Sequence, residues 1–278
     1  MKKLKYKLTN DMLFRILFIK YPELLKRLVS DLLRIRFESI TQFEIRNPEI
    51  PPEALGDKFC RLDILMVVDG QRVDLEIQVR DEGDYPERVL YYWAREYSSA
   101  LAESEDYIQL PRVIIISIVN FKLFDCTEFR SEFVPLEVTR HTALSDKMGL
   151  LFFELPKLPP KINAGSGTEL WLNLFNAKTE EDLRKIEGLG VPVMEQAVTA
   201  YRHVAASPEF RELERLRSKA RHDEASALRN ARMKERVKWE GIVADKDAAL
   251  AGKDSEIEKL RVLLAEMQAK MGSGSDRF

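Results

Sequence analysis

The sequence predicts an α/β fold, a mixed sheet flanked by helices, with a helical C-terminal module and a coiled-coil tail. Three observations predict it. The run VIIISIV at Val113 is apolar on both alternations, as in a strand covered on both faces. It follows two strand-like runs and a helical stretch, in β-β-α-β order, so it should lie centrally and run parallel to a neighbour through the crossover. Beyond Pro208 proline vanishes and charges dominate to Met271, which fits one long helix or a pair.

Taken in order, the elements begin with two helices between Asp11 and Arg34, where Leu13, Phe14, Leu17, Leu24, Leu25, Leu28 and Leu32 recur at helical spacing and Pro22 opens the second. Strand-like runs follow at Ser39 (SITQFEI), Phe59 (FCRLDILMVV) and Arg72 (RVDLEIQV). The stretch from Tyr85 lacks glycine and repeats its apolar and aromatic positions as a helix would. After Val113–Val119, short strands are expected near Glu132–Val138 and Leu150–Leu155. Helical pieces are expected around Leu170–Asn176, Glu180–Gly188 and Val191–Ala205. This divides the chain into residues 1–160, a helical module at 161–207, a long helix at 208–271 and a frayed end at 272–278. In the long helix Leu250, Ile257, Leu264 and Met271 recur every seven residues with Leu260 and Met267 between them. They form either a seam for a homodimer or a face that folds back on its own domain.

The 278 residues are 45% hydrophobic and 9% aromatic, enough apolar surface to exclude a disordered chain. Charged residues make up 32%, but 44 basic and 46 acidic side chains leave a net charge of −2, so whole-chain charge names no partner. The first 36 residues carry ten Lys or Arg against Asp11, Glu23 and Asp31, a local excess suited to phosphate or to an ordinary solvated helix face. Cys60 and Cys126 are far apart, which supports neither a disulfide framework nor a cysteine-zinc site and fits the cytoplasm. Without an apolar leader or an 18-residue apolar span, the expectation is a soluble protein with no membrane partner.

The chemistry concentrates in FCRLDILMVVDGQRVDLEIQVR. Asp69-Gly70 between two β-prone runs signals a two-residue type I′ turn. Val68 then pairs with Gln71, which sets Asp63 opposite Glu76, Arg61 opposite Gln78 and Leu65 opposite Asp74. The other face, Ile64, Met66, Val68, Val73, Leu75 and Ile77, is apolar and belongs to the core. Two opposed carboxylates repel by a few tenths to about 1 kcal/mol. A divalent cation would relieve that, because Mg²⁺ takes a few carboxylate oxygens and keeps water on its other positions. Arg61 or Arg80 would relieve it without any metal.

These residues resemble a known family. LDI followed after a hairpin by LEIQV is similar to the second and third motifs of the PD-(D/E)XK nucleases, in the Glu-x-Gln form of the Rpn recombination-promoting nucleases, also called PD-(D/E)XK family transposases. TNDMLFRILF at Thr9, ERVLYYWAREY at Glu87, VIIISIVNFKLF at Val113 and ELWLNLF at Glu169 resemble the family's other segments, so the likeness runs to about Leu216. The resemblance implies Mg²⁺ held by Asp63, Glu76 and the Ile77 carbonyl, and hydrolysis of DNA phosphodiesters in recombination or transposition. It assigns catalytic roles to Asp63, Glu76, Gln78 and, from the opening helix, Asp11, whose other role is a helix cap. Gln78 stands where the superfamily usually has lysine, and an amide orients a water but takes no proton near neutral pH. Lys58 would then be one of the candidates for the base. DNA contacts are assigned to Lys58, Arg61, Arg88, Tyr92 and Arg95, the last three able to share one helix face, while Tyr91 and Trp93 are expected to pack on the sheet. The segment around Ala102–Glu105 departs from the family pattern. A degenerate nuclease fold that binds DNA or a protein without cutting is the alternative.

Overall fold

A computed structural model of the 278-residue chain describes residues 2–46, 49–50, 60–61, 63–101 and 106–272. Asn10 opens helix α1 (Asp11–Lys20) by accepting the Leu13 N–H at 2.9 Å, so the capping residue is Asn10 and Asp11 begins the first turn. Pro22 starts α2 (Pro22–Leu33), which ends on Arg34 in the left-handed conformation at φ 57°. Both helices turn a leucine- and phenylalanine-rich stripe inward.

The sheet has six strands. The region read as one strand from Ser39 yields only β1 (Phe43–Ile45), because a 3₁₀ turn occupies Phe37–Ser39 and Ile40 drops into the core. A short pair, β2 (Glu49–Ile50) and β3 (Cys60–Arg61), forms a separate ladder. β4 (Ile64–Val68) and β5 (Gln71–Gln78) are the hairpin, α3 (Tyr85–Ser98) is the crossover, and β6 (Val113–Val119) returns parallel to β5. β7 (Arg130–Phe133) and β8 (Met148–Glu154) complete the order β1-β4-β5-β6-β8-β7. β5, β6 and β8 run parallel and every residue of β6 is buried, as its unbroken apolar run requires.

The two faces of β6 feed two cores. Ile114, Ile116 and Ile118 join Ile64, Met66, Val73, Leu75 and Ile77 against α1, α2 and three later helices, α4 (Gly167–Asn176), α5 (Glu180–Glu187) and α6 (Pro192–Ala206). Val113, Ile115 and Val119 meet Tyr85 and Val89 of α3 on the other side. Trp171, Phe14, Phe18 and Phe175 form the aromatic centre of the larger core, each buried ring contributing about 3 kcal/mol. Asp31 of α2 accepts the Trp171 indole N–H at 2.9 Å, fixing α4 against α2.

The chain divides into two compact units, Met1–Glu212 and Leu213–Phe278. Helix α7 (Pro208–Gly272) is the described structure of the second, and most of its described large apolar side chains from Leu213 onward are exposed. Among the described residues no helix is long and apolar enough to cross a membrane.

Candidate functional site

The β4–β5 hairpin turns on Asp69 and Gly70, both at positive φ (46° and 78°), the geometry that selects Asp-Gly. The Asp69 carboxylate accepts from the Thr41 N–H, the Thr41 hydroxyl and the Gln42 N–H at 2.8–2.9 Å, which pins the turn to the segment leading into β1. The register is Val68 with Gln71 and Ile64 with Leu75. One residue further, Asp63 stands opposite Glu76. The Asp63 N–H donates to Glu76 Oε1 at 2.9 Å and the Ile77 N–H donates to Asp63 Oδ2 at 2.8 Å. Each acid therefore accepts a backbone donor from the opposite strand.

Because strands alternate, Asp74 and Glu76 share the face under α3, together with Ser117, which β6 places beside Glu76. Asp74 and Ser117 are fully buried and Glu76 is 7% exposed, with Tyr85 and Val89 of α3 packed on this face of the sheet. Among the described residues neither oxygen of Asp74 accepts from an N–H or hydroxyl group; what it faces is Glu76, and two carboxyls in contact must share a proton.

Burial first, and then the Asp63 charge, push the Glu76 carboxyl from 4.5 up to about 8, against the pull of the Asp63 N–H and the Arg88 guanidinium. Asp74 is pushed well above the carboxylate range by burial and by Glu76, Asp63 and Glu96. The Tyr85 hydroxyl, beside Ser117, is raised by burial and by Glu76. At neutral pH the cluster keeps protons that exposed acids would release.

Gln78, at the end of β5, donates from Nε2 to the Arg80 carbonyl at 2.8 Å. Arg61 and Arg80 are the sequence's alternatives to a metal for neutralising the acids; the guanidinium acting on Glu76 is that of Arg88. Arg61 lies in β3, and its side chain falls outside the described residues, as do Lys58 and the Ala102–Glu105 segment. Asp11 sits on α1, which packs on the face of the sheet opposite Asp74 and Glu76. Arg88 approaches Glu82 at 3.3 Å and lies 5.0 Å from the Tyr85 ring centroid. Half-buried Arg95 donates to the Tyr91 hydroxyl at 3.2 Å, and Tyr91 is exposed instead of packing on the sheet. Trp93 does pack there, stacked on Tyr97 at 4.9 Å. The basic first residues bend back to α5, where the Glu180 N–H donates to the Lys2 carbonyl. Asp74, Ser117 and Tyr85 were not singled out from the sequence. Two signals pointed to them: a lone serine in an apolar strand, and an acid two residues before Glu76.

A hard cation needs ionised oxygens converging on one point. Among the described residues, no three His, Cys, Asp or Glu side chains gather in a way that could hold a metal. Asp63 and Glu76 adjoin, with one oxygen of each accepting a backbone N–H. A cation there would have to use the remaining oxygens and displace the proton that burial holds on Glu76.

No curated protein and no solved structure matches this chain. The family model described as PD-(D/E)XK nuclease family transposase matches residues 8–231, a span that takes in α1, the hairpin, α3 and the parallel strands. On that match and this architecture, the chain belongs to the PD-(D/E)XK nuclease family transposases.

Proposed function

We propose that this chain is a nuclease-fold module that binds DNA without cutting it in the arrangement described. The observation that carries the reading is the closure of the motif pair: Asp63 and Glu76 each accept the opposite strand's N–H, with Asp74 buried against Glu76. DNA as the partner is supported by the family and by α3, whose Arg88, Tyr92 and Arg95 lie at helical spacing, with Arg95 set against exposed Tyr91. Guanidinium groups beside aromatic rings suit phosphates and unstacked bases.

A second reading, Mg²⁺-dependent hydrolysis of DNA phosphodiesters in recombination or transposition, is favoured by one observation. Asp63 and Glu76 occupy adjoining positions on neighbouring strands, with Gln78 two residues on, as the resemblance assigns them. In that reading the cation would polarise the phosphodiester and acidify a bound water.

Plasmid DNA incubated with the full chain and Mg²⁺, parent beside Asp63→Ala, separates the two by gel shift and by nicking. Retardation without nicking by both proteins is the expected result. Nicking by the parent and not by Asp63→Ala would establish hydrolysis. Loss of retardation in both would overturn DNA binding.

A further inference from the structure

Helix α7 carries an apolar seam that its own compact unit leaves open. Trp239, Val243, Leu250, Ile257, Leu260, Leu264 and Met267 follow alternating four- and three-residue steps and are 47–63% exposed. Lys246 and Lys253 fill the two remaining steps. Among the described residues the unit Leu213–Phe278 contains no second element to cover the seam. A helix of this length gains little from local pairs alone, and its stability ordinarily comes from a partner against its apolar stripe.

We propose that the occupant of this seam is a second copy of the chain, forming a parallel, in-register two-stranded coiled coil from about Trp239 to Met267. Charge decides both the partner and the direction. In a parallel pair, a side chain at the second seam position of each heptad lies beside the partner residue that follows its own counterpart. Lys246 then meets Asp247 of the second copy, and Lys253 meets Asp254 of the second copy. Glu256, just before a seam position, reaches Arg261 of the second copy five residues on. Each pair occurs twice by two-fold symmetry, so both seam lysines are neutralised from across the interface. An antiparallel pair with the seam fully overlapped would instead bring Asp254 to Asp254 and Glu256 to Glu256 at its centre. That arrangement sets like charges together and leaves the lysines without these partners.

The test is the mass of the full chain in solution, which does not depend on DNA binding or cleavage. Light scattering should give twice the 32.2 kDa chain mass. Ile257→Glu combined with Leu264→Glu should halve it, while in a Trp239→Phe background the near-ultraviolet circular dichroism, which then reports Trp93 and the buried Trp171, is unchanged. Glu256→Arg should weaken the dimer, and adding Arg261→Glu should restore it. With Cys60 and Cys126 replaced by serine, Ile257→Cys should cross-link to its own counterpart under mild oxidation. A monomeric parent, a dimer that survives the two seam substitutions, or a dimer without the residue-257 cross-link would overturn the proposal.

Discussion

Asp63 and Glu76 clasp each other through the backbone, the amide of one donating to the carboxylate of the other at 2.9 Å while the Asp63 carboxylate takes the next amide, of Ile77, at 2.8 Å. The clasp holds the two strands together beyond the last regular pair, Ile64 with Leu75. It also keeps a negative charge beside an acid that burial has already deprived of water.

The first prediction removes that charge alone. Asp63→Asn keeps an amide oxygen for the Ile77 N–H, so the strands should stay paired. Since the Asp63 charge raises the Glu76 carboxyl, its titration midpoint should fall from about 8 toward 4.5. Carboxyl-detected NMR titration measures it. An unmoved midpoint would mean that burial acts without Asp63.

Stability should depend on pH in a stated direction. Glu76 is raised in the folded chain, from 4.5 to about 8, so its proton is held by the folded and not by the unfolded state between those values. The stabilisation is fully present below about 4.5 and is lost as pH rises through about 8, at no more than about 1.4 kcal/mol per pH unit for one proton. Asp74→Asn removes the second buried acid and supplies an N–H to Glu76, so its melting temperature should fall less between about pH 5 and about pH 9 than the parent's. Parallel melting curves across that range check it.

A third prediction concerns the seat of α4. A methyl group at Gly167 would stand 2.5 and 2.6 Å from the carboxylate oxygens of Asp31, the side chain that receives the Trp171 indole N–H. Gly167→Ala must displace Asp31 and break that bond, which should lower stability by about 1–3 kcal/mol. The midpoint of urea unfolding reads this.

The fourth concerns an ion pair at the end of β8, where Glu154 is in register with Val119 of β6 and Val119 with Gln78 of β5. Lys157 Nζ lies 2.7 Å from Glu154 Oε2, with side chains 5% and 0% exposed, and Glu154 Oε1 also accepts the Leu123 and Phe124 N–H groups. Lys157→Met leaves Glu154 charged and buried, which should destabilise by about 3–5 kcal/mol. Adding Glu154→Gln, which keeps the acceptor while removing the charge, should recover most of the loss, again read by urea unfolding.

Local pattern made the hairpin legible. Asp69-Gly70 fixes the turn type, the turn fixes the register, and alternation then sorts Ile64, Met66, Val73, Leu75 and Ile77 to one face, which is the face that carries the larger core. The unbroken apolar run at Val113 likewise marked the central parallel strand. Where two nearby residues could each satisfy one local rule, pattern was not enough. Asn10 and Asp11 are both capping types, and the chain caps with Asn10. Tyr91 and Trp93 are both aromatic on α3, yet only Trp93 turns to the sheet.

The sequence by itself determined which residues face one another across the hairpin, because the two-residue period and the turn leave one register. It also determined that β6 is covered on both sides, since nothing polar but Ser117 interrupts it. Only the tertiary structure decided that the face bearing Asp74 and Glu76 is closed to water. That closure comes from Tyr85 and Val89, contributed by a helix whose seating depends on contacts with distant strands. Register is a local geometric consequence; desolvation is the sum of everything packed above a residue, and no nearby stretch of chain encodes it.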